Sequence, residues 1–413
     1  MSTGAVRAEA QVPPAYRDAN VLRWLGAFVC SLLGDSVYFL ALSWAAIQVG
    51  TSAQAGLILA VAAVPRVLLM LGGGVLADRF GPRKVLIGSD LTRCLVILGA
   101  AGVLAVTTPG VWLLALIALV FGVIDALFLP AVGALPPRIT KPDQLARVQG
   151  LRGLASRAAL IGGSPLGGLA LATGGPSLAF GTAALLFAVS VPLLIAVRIA
   201  PLPDDGAVGQ HGTAWADLVE GVRYIRRDPV LAPLVVVVAV GELGFTGPLN
   251  IGVTLLADER GWGATGLGWI IGGFGVGAAI ASLVLAVGGR VPRAGLVQPV
   301  CLALGAVAIG ALAYAPALPV AAGLGIAIGL TAGLSGALCA ALIQTTTVPA
   351  YLGRVTAAVS LVTLGLAPLI YPVVGAAIAA WGTRPVFVVS AAVVALGAIL
   401  GFRATALRRA ELP

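Results

Sequence analysis

The chain has 413 residues, of which 59% are hydrophobic and only 10% charged, too few charges to cover a water-facing surface; soluble domains carry about 25%. Its net charge of +9 is scattered through short loops between apolar stretches. That pattern excludes a nucleic-acid partner, which needs basic residues gathered on one surface, and leaves the lipid bilayer as solvent for most of the chain.

Residues 1–23 are polar and read as a cytoplasmic N-terminal segment. The apolar run 24–49 is too long for a cleaved leader and contains Asp35, so it reads as a retained helix. A spanning helix needs about 20 mostly apolar residues. Eleven more candidates follow: 54–76, 87–107, 110–135, 158–173, 177–198, 230–257, 264–288, 295–315, 317–341, 355–380 and 385–402. Turn signals such as Thr107-Thr108-Pro109-Gly110 and Thr173-Gly174-Gly175-Pro176 separate them. The predicted fold is an all-α membrane protein of about twelve transmembrane helices in two six-helix bundles, 24–199 and 230–403, with a cytoplasmic tail at 404–413.

An even number of spans puts both termini on one side. If that side is the cytoplasm, 21 of the 25 Lys and Arg fall there, Arg152 and Arg157 among them, which satisfies the positive-inside rule. The expected location is the cytoplasmic (inner) cell membrane.

The stretch 200–229 divides the chain. Pro201 to Gly206 read as linker, and Thr213 to Asp228 as an amphipathic helix with Trp215, Leu218, Val222 and Ile225 at helical spacing. Asp217 and Glu220 come early and Arg223, Arg226 and Arg227 late, which suits the helix dipole. The expected place for this helix is the inner membrane surface. Cys30, Cys94, Cys301 and Cys339 lie in apolar runs without a CxxC pair, and His211 has no metal-binding neighbour. No cofactor is implied. With no nucleophile–base set, metal cluster or nucleotide loop, an enzyme is the least supported reading.

Ionisable residues inside a span cost about 2.5–3.5 kcal/mol each. Asp35, Arg66, Asp125 and Glu242 fall near mid-depth. Asp35 and Arg66 lie on sequential antiparallel spans, each roughly 20 Å from the outer end, and pairing between them is expected. Asp125 and Glu242 are left without a basic partner at that depth, and such carboxyls are natural proton-coupling sites. Asp90 and Arg93 are expected near the inner interface. Ser31, Asp35 and Tyr38 share one face of span one. With Phe128, Phe245, Asn250 and Gln344 they suggest a cavity rich in aromatics and sparse in charge, suited to an amphiphilic organic molecule.

Gly74-Val75-Leu76-Ala77-Asp78-Arg79-Phe80-Gly81-Pro82-Arg83-Lys84, between spans two and three, resembles the signature loop of the major facilitator superfamily. Pro82 departs from it by replacing a basic residue. The end of span eight, Val287-Gly288-Gly289-Arg290-Val291-Pro292-Arg293, echoes the end of span two without the acid, as internal repeats of transporter folds do. The resemblance implies a cytoplasmic gate built on Gly74, Asp78, Arg79, Gly81, Arg83 and Lys84, with Asp78 accepting hydrogen bonds across the two halves.

A narrower resemblance is to the enterobactin-exporter and macrolide-efflux branch, through Ser31-Leu32-Leu33-Gly34-Asp35-Ser36 and Leu218 to Pro229. Gly163, Pro165, Gly167 and Gly168 resemble the antiporter helix-packing pattern, with the proline displaced by one. The span-four arginine of many drug/proton antiporters has no counterpart; Ala118 stands near its place. The resemblance implies a monomeric secondary transporter that exports a small hydrophobic or amphipathic compound by alternating access in exchange for protons. Uptake by symport, and a non-transporting membrane sensor or scaffold, are the alternative expectations.

Overall fold

The computed structural model describes residues 17–107, 110–140, 144–199, 214–288 and 293–411, with the backbone alone described at 70–79, 145–146, 214–217, 286–288 and 349–350. Regular structure among the described residues is entirely helical. Eleven helical segments are apolar and long enough to cross a membrane. One of them, Leu145–Ile195, has 51 residues, roughly 75 Å at 1.5 Å per residue, against a hydrocarbon core of about 30 Å. It holds two spans, because Gly174 and Gly175 leave helical geometry within it. Gly175 sits at φ 65 and ψ −166, a conformation open to glycine and steeply unfavourable for other residues.

The described residues therefore form twelve spans. They are Ala19–Val49, Ser52–Phe80, Pro82–Val106, Val111–Ala134 and the two arms of Leu145–Ile195 in the first half. The second half has Leu231–Gly247 continued through Pro248–Gly252 and Val253–Glu259, then Gly263–Gly288, Ala294–Leu312 and Leu318–Thr346. Pro349–Gly365 with Ala367–Trp381, and Thr383–Arg403, complete it. Span five, expected from 158, begins at 145; more than three polar-faced turns precede the apolar run, with Arg152, Ser156 and Arg157 lining a cavity.

Local chemistry sets the ends. Asp18 caps span one by accepting from the Asn20 amide at 2.8 Å. Thr51 and Gln54 form a reciprocal capping box at the start of span two. Gly81, at φ 83, makes the sharp turn into span three, and Pro82 takes the first helical position, where its missing N–H costs nothing.

The helix Ala214–Arg227 does not merely lie on the bilayer. Leu218 and Ile225 are buried in the core of the second half. Tyr224 stacks on Tyr351 at 4.8 Å, and Glu220 pairs with Arg354 of span eleven at 3.1 Å. Of its expected apolar stripe, Val222 stays exposed.

The two halves meet on one side only. Away from the termini a single hydrophobic core runs through both, from Val37, Phe121 and Phe187 to Ile251, Ile309 and Phe387. Toward the termini the core splits in two. One part, around Trp24, Phe128 and Leu194, belongs to the first half; the other, around Leu234, Leu338 and Val355, belongs to the second. Small residues allow the closed contact. A methyl at Gly168 would stand 2.8 Å from the Ala264 carbonyl oxygen of span eight, and one at Gly56 2.4 Å from that of Tyr371 in span eleven. Gln48 donates to Asp258 across the same side at 3.3 Å.

Candidate functional site: a cavity between the halves

Where the halves part, a cavity of about 660 Å³ opens between them, lined by spans one to five of the first half and seven, eight and ten of the second. Span seven reaches it through an irregular turn. Pro248 begins a π-helical stretch, Pro248–Gly252, of the kind found at functional positions. Asn250, in that turn, lines the cavity and donates to the Thr246 carbonyl at 2.6 Å.

The first half builds a charge cluster at the cavity wall. Arg93 of span three, its side chain 1% exposed, lies 3.3 Å from Asp90 and 3.6 Å from Asp35 and bonds Asp125 of span four. Its guanidinium lies 4.2 Å from the centre of the Phe128 ring. Asp90 is sealed and accepts from the hydroxyls of Ser31 and Ser190. Asp35 and Asp125 keep 29% and 26% of their side-chain surface and reach the cavity. Three carboxyls thus surround one guanidinium.

This arrangement corrects the sequence-based pairing. Asp35 meets Arg93, not Arg66, and Asp125 has a cation beside it. Arg93 and Asp90 are buried within the bundle. The spacing Asp90–Arg93, one helical turn inside an apolar run, was the available signal: such charges persist in a span only when they find partners. Arg66 lines the cavity, and its buried Nε has no hydrogen-bond partner. Arg152 and Arg157, counted with the cytoplasmic loops, also line it, because span five starts early.

Tyr38 lines the same cavity and stacks on Phe121 at 3.7 Å, its hydroxyl buried without a partner. Phe245 borders both this cavity and a second chamber of about 300 Å³ inside the second half. Glu242 and Gln344 belong to that second chamber, not to the central one. Glu242 accepts from the Thr246 hydroxyl at 2.8 Å and has no cation within ion-pairing distance among the described residues. Gln298, which the sequence reading did not single out, lines the chamber as well, fully buried with both amide atoms unpartnered.

The glycine pattern of span five faces two neighbours. A methyl at Gly163 would stand 2.6 Å from Ser36 Cβ, and one at Gly167 3.2 Å from Val37 Cα, both on span one. Gly168 and Pro165 face span eight of the other half, where a methyl at Gly272 would lie 2.9 Å from Pro165 Cγ. In the signature loop, Arg83 donates to the carbonyls of Leu194 and Ile195, tying span three to the end of span six within its own half. Gly81 makes the turn and Lys84 is exposed. The side chains of Gly74, Asp78 and Arg79 lie outside the described residues, so the expected contact of Asp78 across the halves falls there too.

Comparison with known proteins agrees with this architecture. The sequence profile of the Major Facilitator Superfamily matches residues 24–363. The chain is 26% identical over 345 residues to the enterobactin exporter EntS of Shigella boydii serotype 18, covering 83% of this chain and 80% of that protein. It is 25% identical, with the same coverage, to EntS of Escherichia coli O127:H6. Among solved structures, the nucleoside transporter NupG superposes with a TM-score of 0.73 at 12% identity, covering 94% of this chain and 99% of that one. A bacterial homologue of the lysosomal transporter Spinster, in an inward-facing and occupied conformation, gives 0.72 at 13% identity, covering 96% and 98%. A multi-pass membrane protein with twelve spans, a cavity between its halves and this profile match belongs to the major facilitator superfamily of transporters.

Proposed function

We propose that the protein exports a small hydrophobic or amphipathic compound by alternating access, in exchange for protons, with both termini in the cytoplasm. In that orientation the cavity faces the cytoplasm and is placed to load a compound from inside. The two bundles, 24–199 and 230–403, rock about the cavity, and the linker 200–229 joins them on the cytoplasmic side. The similarity to named exporters supports the direction.

The observation that carries the coupling is the cluster of three carboxyls around one guanidinium. Fully ionised, it has an excess of two negative charges. Repulsion between two carboxylates about 5 Å apart is roughly 3 kcal/mol at an effective dielectric of 20. A proton on Asp35 or Asp125 removes part of that excess, and its release restores it. Both carboxyls reach the cavity, so the load can change with the compound bound. Glu242, without a cation, is a second carboxyl able to carry a proton from the other half.

Proteoliposomes holding the full chain, with an imposed pH gradient and a compound panel, test this. Asp35→Asn, Asp125→Asn and Glu242→Gln keep the side-chain shape but cannot give up a proton. At least one of them should abolish gradient-driven accumulation while leaving binding and downhill exchange largely intact. Accumulation at the normal rate in all three, or accumulation indifferent to the gradient, would refute proton exchange at these sites.

A further inference from the structure

The central cavity has two unlike walls. Its first-half wall carries four arginines: Arg66, Arg93, Arg152 and Arg157. The carboxyls on that wall, Asp35 and Asp125, both already contact Arg93. Arg66 and Arg157 have no hydrogen bond or ion pair among the described residues, and Arg152 has only a 3.5 Å contact to Gln149 Oε1 and the Phe28 ring at 5.5 Å. Four arginines against the three carboxyls of the cluster leave this partly desolvated wall net positive, and an anion there offsets the cost of the uncompensated charge. Among the described residues the second-half wall carries no charged side chain. Phe245, Leu249, Val253, Ile270 and Phe274 line it, with Asn250 the polar side chain.

We infer that this cavity takes amphipathic organic anions, the acid group held by Arg66 and Arg157 and the apolar body laid against Phe245 and Phe274. The inference rests on the cavity being the transport site proposed above. A cation entering it meets four arginines against three carboxyls, a wall of net positive charge. A neutral polar molecule leaves the arginines unsatisfied and finds a single amide on the opposite wall. An anion with an aromatic or aliphatic body satisfies both walls. The volume of about 660 Å³ falls in the range of small-molecule sites. Arg66 and Arg157 stand on spans two and five, which pack against spans eleven and eight of the other half. An anion between them and the apolar wall therefore touches both halves, and its binding favours their closing over it.

The test uses the full chain in nanodiscs of zwitterionic lipid and three naphthyl probes of one shape: 2-naphthoate, 2-naphthamide and 2-naphthylmethylammonium. Equilibrium binding is measured by calorimetry, and transport of the same probes in proteoliposomes. Naphthoate should bind at least about tenfold more tightly than the amide or the ammonium. Arg66→Gln with Arg157→Gln should remove that preference by weakening naphthoate far more than naphthamide, and an unchanged thermal midpoint shows that the double variant is folded. Arg157→Lys should keep most of it. Equal or tighter binding of the ammonium with transport intact would overturn the inference and leave the transport reading standing, as would a naphthoate preference that survives the double variant. Absence of binding and transport for all three probes would overturn both. Displacement of naphthoate by phosphatidylglycerol added to the nanodisc would support a membrane-derived anion, and its failure a soluble one; either supports the charge assignment.

Discussion

Replacing Arg93 with methionine tests the charge cluster directly. Methionine nearly fills the volume but removes a guanidinium that lies 3.3 Å from Asp90 and 3.6 Å from Asp35, bonds Asp125 and covers Phe128 at 4.2 Å. Stranding the partners of a buried ion pair costs about 3–5 kcal/mol, and the lost cation–π contact adds about 1. Arg66→Met makes the matched control. Arg66 has no carboxylate in ion-pairing range among the described residues, so its loss should cost below about 1 kcal/mol. Adding Asp125→Asn to Arg93→Met removes one stranded charge, and the double variant should recover about 1–3 kcal/mol relative to additivity. Denaturant titration in detergent micelles, with thermal midpoints as a second ranking, reads these differences. Equal losses for Arg93→Met and Arg66→Met, or strict additivity of Arg93→Met with Asp125→Asn, would refute Arg93 as the shared partner.

Three further outcomes are expected. Gly168→Val puts a methyl 2.8 Å from the Ala264 carbonyl and should cost about 1–3 kcal/mol in the closed contact; a cysteine at Gln48 should then react faster with an impermeant maleimide, and an unchanged rate would count against closure through span five and span eight. Asp78→Ala should impair transport while membrane insertion stays normal, and undiminished transport would reduce the loop to a turn. Reporter fusions at Gly206 and Pro413 should both score cytoplasmic; an outside score at either would sink the proposed orientation.

Twelve spans and the family were legible in the sequence, because each is written in local properties. Runs of about 20 apolar residues, turn signals and the Gly74 to Lys84 loop do not depend on what packs against what. Membrane solvation makes that information unusually strong, since every backbone polar group in the hydrocarbon has to be satisfied within a helix. Even so, Arg152 and Arg157 read as loop residues and stand on a helix. Polar helical turns at the end of an apolar run look like a loop until the cavity beside them is known.

The partners of buried charges were decided only by the tertiary structure. Depth along a helix can be counted from the chain, but rotation about its axis and the choice of neighbour cannot. Asp35 and Arg66 match in depth, yet Arg93 of span three lies at Asp35 and reaches Asp125 on span four as well. By the same logic Glu242 and Gln344, which read as members of one central cavity, lie behind Phe245 in a chamber of their own. Composition determined that the chain lives in lipid. The packing of one helix against another determined which charges satisfy each other and which arginines remain facing the cavity, because an ion pair is a contact between side chains that the sequence holds 58 or 32 positions apart, as Asp35–Arg93 and Arg93–Asp125 show.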